Sequence, residues 1–499
     1  MNKFIHPGSV LFIRPEPPRE PFKFVLLEIH TKRSFRKLIT LLIRPCTMKL
    51  RFYCQTALAL LLTTHVLASE PDSLSPAGKA DKTKTGWNVG ALPVVGYNSD
   101  IGFQYGALAN IYYYGNGSLY PKYYHSVYLE VSRTTKGGGI NQVFYDSEKL
   151  LRGLRVTADV TYLTEKALDF YGFNGYRSVF NAAWKDDQDT SSYKTRMFYN
   201  HERKLLRIAA SLQGNSGIRG LRWTAGLAMM KFRIGAVDAE LLNKGLKAGK
   251  KLPDVPGLYE EYVNWGIITD KEKNGGLNNL IKLGLIYDTR DNEPNPMHGI
   301  WSEIILAMAP GMIGDGNYNF AKLSVTHRQY FTLKKDVLNL ACRLGYQGTI
   351  WGTTPFYFQP YMINSFSMNT TIDGLGGANS LRGILRNRIV GDGIVFGNAE
   401  LRWKFFRSRW KNQNWYFAWS AFADGGEVVQ DIPVNTASIP GSVDQTQYFS
   451  SGKDTFHLSI GSGLHIAMNQ NFIIAADYGH VTDKRDGSDG LYIALGFLF

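Results

Sequence analysis

Cysteine is nearly missing from this chain: three residues in 499. So few thiols exclude a disulfide-stapled scaffold and a Cys-based zinc site. Long apolar runs are missing too. No stretch reaches the roughly 20 residues that a membrane-spanning helix needs, so a polytopic helical membrane protein is not expected. Charge is thin, with 20% Asp, Glu, Lys and Arg against about a quarter in ordinary globular chains. No internal repeat, low-complexity tract or second domain shows. Aromatics and glycine are abundant instead: 28 Tyr, 28 Phe and 51 Gly. Aromatic content of 13% argues against disorder. A Tyr-, Phe- and Gly-rich chain of moderate polarity suits an outer-membrane β-barrel. A single large barrel can use a length that would otherwise suggest several domains.

The net charge of +14 is unevenly placed. Residues 1–47 carry +6 and residues 48–68 carry +2, leaving +6 on the remainder. That remainder holds no Lys/Arg-rich helix, so no nucleic-acid partner is expected. From Met48 the order is basic Met48-Lys49-Leu50-Arg51, the apolar stretch Ala57 to Leu62, then Val66-Leu67-Ala68. This is an export signal over 48–68, cleaved after Ala68. Cys54 precedes the apolar run and is not placed as a lipid acceptor. Residues 1–47 read as a mis-assigned or unusual N-terminal extension ahead of a true start at Met48. Residues 69–86 form a short periplasmic segment, and 87–499 the barrel. The expected location is the outer membrane of a Gram-negative bacterium, reached by signal-peptide export and crossed many times by strands.

Beyond Trp87 the dominant period is two. Leu491, Ile493, Leu495, Phe497 and Phe499 share one face of the last segment, with Tyr492, Ala494 and Gly496 on the other. Phe456, Leu458, Ile460, Leu464 and Ile466 alternate with His457, Ser459, Gly461, Gly463 and His465. Strands of about 10 residues with one apolar face and one small or polar face fit a wall between lipid and lumen. The pattern predicts about 16 antiparallel strands closed into a transmembrane β-barrel, an all-β fold. Turns alternate between short (Gly115-Asn116-Gly117, Lys334-Lys335-Asp336, Asn469-Gln470) and long (164–195, 235–277, 351–391, 427–454). Within 235–277, residues Ala236 to Ala248 are expected to form a short helix.

The segment before the twelfth strand reads Gly374-Leu375-Gly376-Gly377-Ala378-Asn379-Ser380-Leu381-Arg382-Gly383-Ile384. A phosphate cradle would need a following helix, and none is indicated. Arg382 is either an exposed loop residue or a lone charge carried into the lumen. A buried charge needs counter-charges, and strand parity points Glu400 and Asp424 inward. No Gly-x-Ser-x-Gly elbow exists. His457, His465, Asp477 and His480 lie on neighbouring strands, but Asp477 and His480 do not share a face. Lumen lining explains them better than catalysis or a metal site, so no enzyme activity, cofactor or metal is expected.

These residues carry a resemblance. Gly376-Gly377 through Arg382-Gly383, then Asn398-Ala399-Glu400-Leu401-Arg402, then Phe422-Ala423-Asp424-Gly425-Gly426, resemble the BamA/TamA family of outer-membrane assembly barrels, the bacterial surface antigen barrels. Gly96-Tyr97-Asn98-Ser99-Asp100-Ile101-Gly102, Phe170-Tyr171-Gly172-Phe173-Asn174-Gly175 and Tyr287-Asp288-Thr289-Arg290-Asp291 resemble further family motifs in the same order. The resemblance implies a sixth loop folded into the lumen, with Arg382 and Gly383 at its tip and Glu400 and Asp424 as partners. That contact is structural, not catalytic. The family's aromatic after Arg-Gly is Ile384 here. The 18 residues from Ser69 to Gly86 are too few for a POTRA domain, so a POTRA-less member is expected. The C-terminal set Leu491, Ile493, Leu495, Phe497 and Phe499 resembles the signal by which barrels are recognised for their own insertion by the assembly machinery. Implied partners are outer-membrane lipids (lipopolysaccharide and phospholipid), client polypeptides and separate periplasmic proteins. The implied activity is insertion or translocation of proteins or lipids. The alternative is a passive channel or structural barrel, since a barrel this wide can leave an aqueous path.

Overall fold

Alternation of side chains decides the architecture. In the 18-residue segment from Gln413 to Gln430, Tyr416, Ala418, Ser420, Phe422 and Asp424 are buried while Trp415, Phe417, Trp419 and Ala421 keep partial exposure. A strand with two such faces separates an interior from a surrounding medium. The computed structural model describes residues 83–499, except 121, 294, 366–372, 411–412 and 469–471. The expected extension 1–47, the export signal 48–68 and residues 69–82 lie outside the described residues.

The described strands are β1 (Trp87–Asn98), β2 (Gly102–Tyr113), β3 (His125–Thr134), β4 (Gly138–Leu151), β5 (Leu154–Asp169), β6 (Asn200–Asn215), β7 (Leu221–Gly235) and β8 (Leu277–Asp288). They continue as β9 (Gly299–Ala309), β10 (Phe320–Lys334), β11 (Leu338–Gly352), β12 (Gly393–Trp410), β13 (Gln413–Gln430), β14 (His457–Met468), β15 (Phe472–Val481) and β16 (Gly490–Leu495). Each pairs with its sequence neighbours, and β16 meets β1 to close the barrel. All pairings are antiparallel. No described helix is long and apolar enough to cross a membrane.

The ladders are not equal. β1 and β2 pair without a break from Trp87↔Tyr113 to Asn98↔Gly102. β1 and β16 pair only through Tyr97↔Ile493 and Asn98↔Tyr492. Just beyond, the Ser99 amide donates to the Leu491 carbonyl (3.1 Å) and the Leu491 amide donates to the Ser99 hydroxyl (2.9 Å).

The long connections 170–199, 236–276, 353–392 and 431–456 lie at one end of the barrel, opposite the first residues of β1. This is the outer-membrane layout. They share an aromatic core. Phe170 packs edge-on against Tyr262 (5.4 Å between centroids), Trp265 against Tyr448 (4.9 Å) and Trp184 against Phe198 (4.9 Å). Lys194 closes the cluster, its Nζ 3.7 Å from the Trp184 ring centre and donating to the Tyr448 hydroxyl at 2.6 Å. Aromatic pairs of this kind add to the burial of their rings.

Three expectations change. The helix expected at 236–248 shrinks to Ala239–Asn243, capped by the Asp238 carboxylate, which accepts from the Leu241 amide at 2.8 Å. A second helix, Leu258–Asn264, opens at Gly257, whose amide donates to Glu260. Most important, the last strand stops at Leu495. Gly496 takes a left-handed φ of 88°, which ends the alternation. Leu491, Ile493 and Leu495 face outward and stay exposed, but Phe499 is buried against Tyr330 and Ala341. The shared face expected for Leu491 through Phe499 is therefore broken before Phe497.

Leu227 on β7 is 63% exposed near mid-strand, and Ile218 is 64% exposed in the turn before it. Leu227→Arg is expected to lower folding stability in lipid vesicles by about 2–4 kcal/mol, and Ile218→Arg by under about 1 kcal/mol. Denaturant titration of vesicle-folded protein measures both. Equal costs would contradict the assignment of Leu227 to the bilayer core.

Candidate functional site

The site is built from one loop and four strands. Odd–even alternation turns Glu400 on β12, Asp424 on β13, Asp477 on β15 and Tyr492 on β16 to the interior. Asn398 pairs with Asp424, and Asp477 with both Gly463 and Tyr492, which brings these side chains to one level. Between β11 and β12 the chain runs into this cluster. The Gly383 backbone then lies against β15. A Cβ at Gly383 would stand 2.8 Å from the Gly479 carbonyl carbon, and one at Gly479 would stand 2.6 Å from the Arg382 carbonyl. Gly383 also has a φ of 96°. Glycine at both positions is what lets loop and wall touch.

Arg382 delivers its guanidinium into the gap. Nε donates to Asp424 Oδ2 at 2.9 Å and Nη2 to Asp424 Oδ1 at 3.2 Å. Nη1 donates to Asp477 Oδ2 at 3.0 Å. Glu400 Oε2 lies 2.8 Å from Nη1 but makes no hydrogen bond there, so that contact is an ion pair only. The guanidinium lies flat on Phe422, 3.4 Å from the ring centre. The Arg382 and Gly383 amides donate to Asp424 (3.1 Å) and to the Tyr492 hydroxyl (3.0 Å). Arg382, Glu400 and Asp424 are each at most 1% exposed, so water does not screen them.

Two further groups contact these carboxylates. Arg402 Nε donates to Glu400 Oε1 at 2.9 Å, and its Nη2 donates to the Phe499 main-chain oxygen at 2.9 Å. His465 Nε2 meets Asp477 Oδ1 at 2.9 Å. Phe497 lies over Arg402 (4.0 Å) and edge-on to His465 (4.8 Å). Two guanidiniums and an imidazole thus face three carboxylates. The structure brings Arg382, Gly383, Glu400 and Asp424 together, and adds Asp477 and Arg402, which the sequence reading did not place there. The missed signal was parity: Asp477 follows the inward set of β15 as Glu400 follows that of β12.

A second network lies nearer the loops. Arg386 pairs with Asp373 (2.6 Å) and with Glu165, and Arg203 also pairs with Glu165. His457 and His480 are each held by carboxylates elsewhere. His457 has both ring nitrogens against carboxylates, Asp486 at 2.5 Å and Asp454 at 3.0 Å, and stacks on Tyr176 at 3.8 Å. Neither nitrogen is left to act as a base. His480 is on the outside with Asp489. Among the described residues no cluster of three or more His, Cys, Asp or Glu has a metal-holding arrangement.

Asp100, in the turn between β1 and β2, reaches the same loop. Its Oδ2 is buried without a hydrogen bond among the described residues, beside Gly377. Burial, then the neighbouring Asp169 and Asp373 carboxylates, push its carboxyl up to about 7, against the opposing Arg386 charge and the Ala378 amide.

Removing the Arg382 guanidinium leaves three carboxylates buried with one fewer cation. Arg382→Ala is expected to cost about 3–5 kcal/mol in urea unfolding, the range for breaking a buried pair. A loss below about 1 kcal/mol would show that the cluster does not hold the loop. For Asp100 the sign is opposite. An acid with a raised folded pKa disfavours the fold once ionised, so its cost is absent below about pH 4 and grows as pH rises through about 7. Asp100→Asn is expected to raise the unfolding midpoint at about pH 8 and to change it little at about pH 4. Equal shifts at both would rule out ionisation as the cause.

The Omp85 superfamily domain matches residues 125–499, three quarters of the chain. Among solved structures, BamA from Haemophilus ducreyi lacking POTRA domains 1–3 is 15% identical, with 83% of this chain and 71% of that one covered and a TM-score of 0.47. CdiB from Escherichia coli is 10% identical, with 83% and 63% covered and a TM-score of 0.48. CdiB from Acinetobacter baumannii is 13% identical, with 82% and 60% covered and a TM-score of 0.43. The chain spans about three fifths of the length of these CdiB chains. No curated protein sequence matches it. The domain match agrees with the motifs read from the loop and strands, and the chain belongs to the Omp85 superfamily.

Proposed function

We propose that this barrel assists the insertion or translocation of polypeptides, or of lipids, at the outer membrane, and that the β1–β16 seam is where it acts. The observation that carries this reading is the seam's shortness. Below Tyr97, β1 pairs with no β16 residue among the described residues, so a row of backbone N–H and C=O groups is left to pair with an incoming strand. The aromatic core under the loops supports the same reading against a passive channel, because an open pore needs an aqueous path through that end. In this proposal Arg382 with Gly383, Glu400 and Asp424 locks the loop. Leu491, Ile493, Leu495, Phe497 and Phe499 form the signal by which the chain is itself inserted, after export directed by residues 48–68. Client polypeptides, the surrounding lipids and separate periplasmic proteins are the proposed partners.

Tyr97 and Ile493 are directly opposed, and antiparallel Cα separations of about 5.5 Å suit a disulfide. Tyr97→Cys with Ile493→Cys, oxidised, is expected to abolish client insertion in reconstituted membranes, with recovery on reduction. Full client insertion through the locked seam would refute the proposal.

A further inference from the structure

We infer that Pro93 is a stop built into the seam edge of β1, which limits how far any strand, the chain's own β16 or a client's, can zip onto it. The meaning for clients rests on the seam reading above. The stop itself rests on geometry.

Backbone direction comes first. The Ser99 amide donates across the seam to Leu491, whereas the Gly86 amide donates to Gly115 and the Tyr114 amide to Gly86 on the β2 side. Along a strand, successive residues turn their N–H groups to alternate sides. Residues 99, 97, 95 and 93 therefore address the seam, and even-numbered residues address β2. Pro93 has no N–H to give, and the gap falls on the seam side. The β1–β2 ladder accordingly runs through Pro93↔Ala107 unbroken. Proline in a strand is tolerated on such an edge.

Register comes second. Tyr97 is opposite Ile493 and Asn98 opposite Tyr492. Each step down β1 is a step up β16, so the same register would set Val95 against Leu495 and Pro93 against Phe497. β16 departs before that pair. Gly496 turns with a φ of 88°, its amide donates to Ile473 of β15 at 2.9 Å, and Phe497 lies over Arg402 in the interior. The residue that would face the missing N–H is the first to leave the sheet.

The edge is thus divided. Val95, Tyr97 and Ser99 offer seam-facing donors above Pro93, spanning about 13 Å at 3.3 Å per residue. Trp87, Val89 and Ala91 offer a separate run below it. A strand held on the upper run alone pairs weakly enough to be released. A continuous edge would bind it along the whole wall.

The test is amide hydrogen exchange on the full chain in nanodiscs. Pro93→Val, with Pro93→Ala as a second variant of lower strand propensity, is expected to slow exchange at residues 493–497 at least tenfold, as the ladder extends. Gly496→Ala, with Pro93 in place, is expected not to. Unchanged exchange in both Pro93 variants, or equal slowing in Gly496→Ala, would overturn the stop. Client insertion is measured separately. Slowed exchange with unchanged insertion would leave the stop standing and remove the seam reading, while slowed exchange with impaired insertion supports both.

Discussion

Everything inside this barrel is arranged around the cost of burying Glu400, Asp424 and Asp477 at one level of the lumen. An unscreened carboxylate costs several kcal/mol to desolvate, and three together repel one another. The wall supplies Arg402, already committed to Glu400 and the Phe499 main-chain oxygen, and Arg343, already committed to Asn398 and the Ser380 carbonyl. The remaining cation must come from elsewhere, and the connection between β11 and β12 brings it. Once Arg382 is in place, its neighbours follow. Leu375, Leu381, Ile384 and Ile389 bury themselves against Ile394, Phe396, Val428 and Val481. Ile384 belongs to this apolar patch. The electrostatic contact sets the position, and the apolar packing adds stabilisation that the charges alone do not reliably provide.

The barrel was legible because a wall between two media imposes a period that little else imitates. The strand edges fell within a few residues of expectation through most of the chain. β12 continues through Arg407, Ser408 and Arg409, which look like turn residues but keep the ladder, and β13 runs to Gln430, into the stretch 427–454 expected as a loop. Glu400 and Asp424 were legible for the same reason as the strands: parity alone turns them inward. The aromatic core of the loops was not legible. Tyr262 lies in a short helix and Phe356 and Tyr448 in irregular segments, where no strand period assigns a side, and they meet only because the barrel brings their loops to one end. The inward turn of Phe497 was hidden by the alternation itself. Leu491 to Phe499 keeps a perfect period of two, and a single left-handed glycine at 496 cancels it.

A barrel with one weak ladder should open there unless something else holds the ends. The structure answers with contacts that cross the seam's neighbourhood without pairing its strands. Tyr492 of β16 accepts from the Gly383 amide of the loop, so the last strand is tied to the locked loop as well as, briefly, to β1. Ser99 and Asp100, at the tip of the first hairpin, divide the work. Ser99 holds Leu491, and Asp100 lies against the same loop beside Gly377. Both sides of the seam are therefore fastened to the loop whose position Arg382 sets. This arrangement separates two demands that a uniform ladder would fuse. The fold is held by the lumen contacts and the other fifteen ladders, and the edge of β1 need not contribute. An edge free of that duty can carry a proline and stay unpaired over most of its length without loss of the barrel.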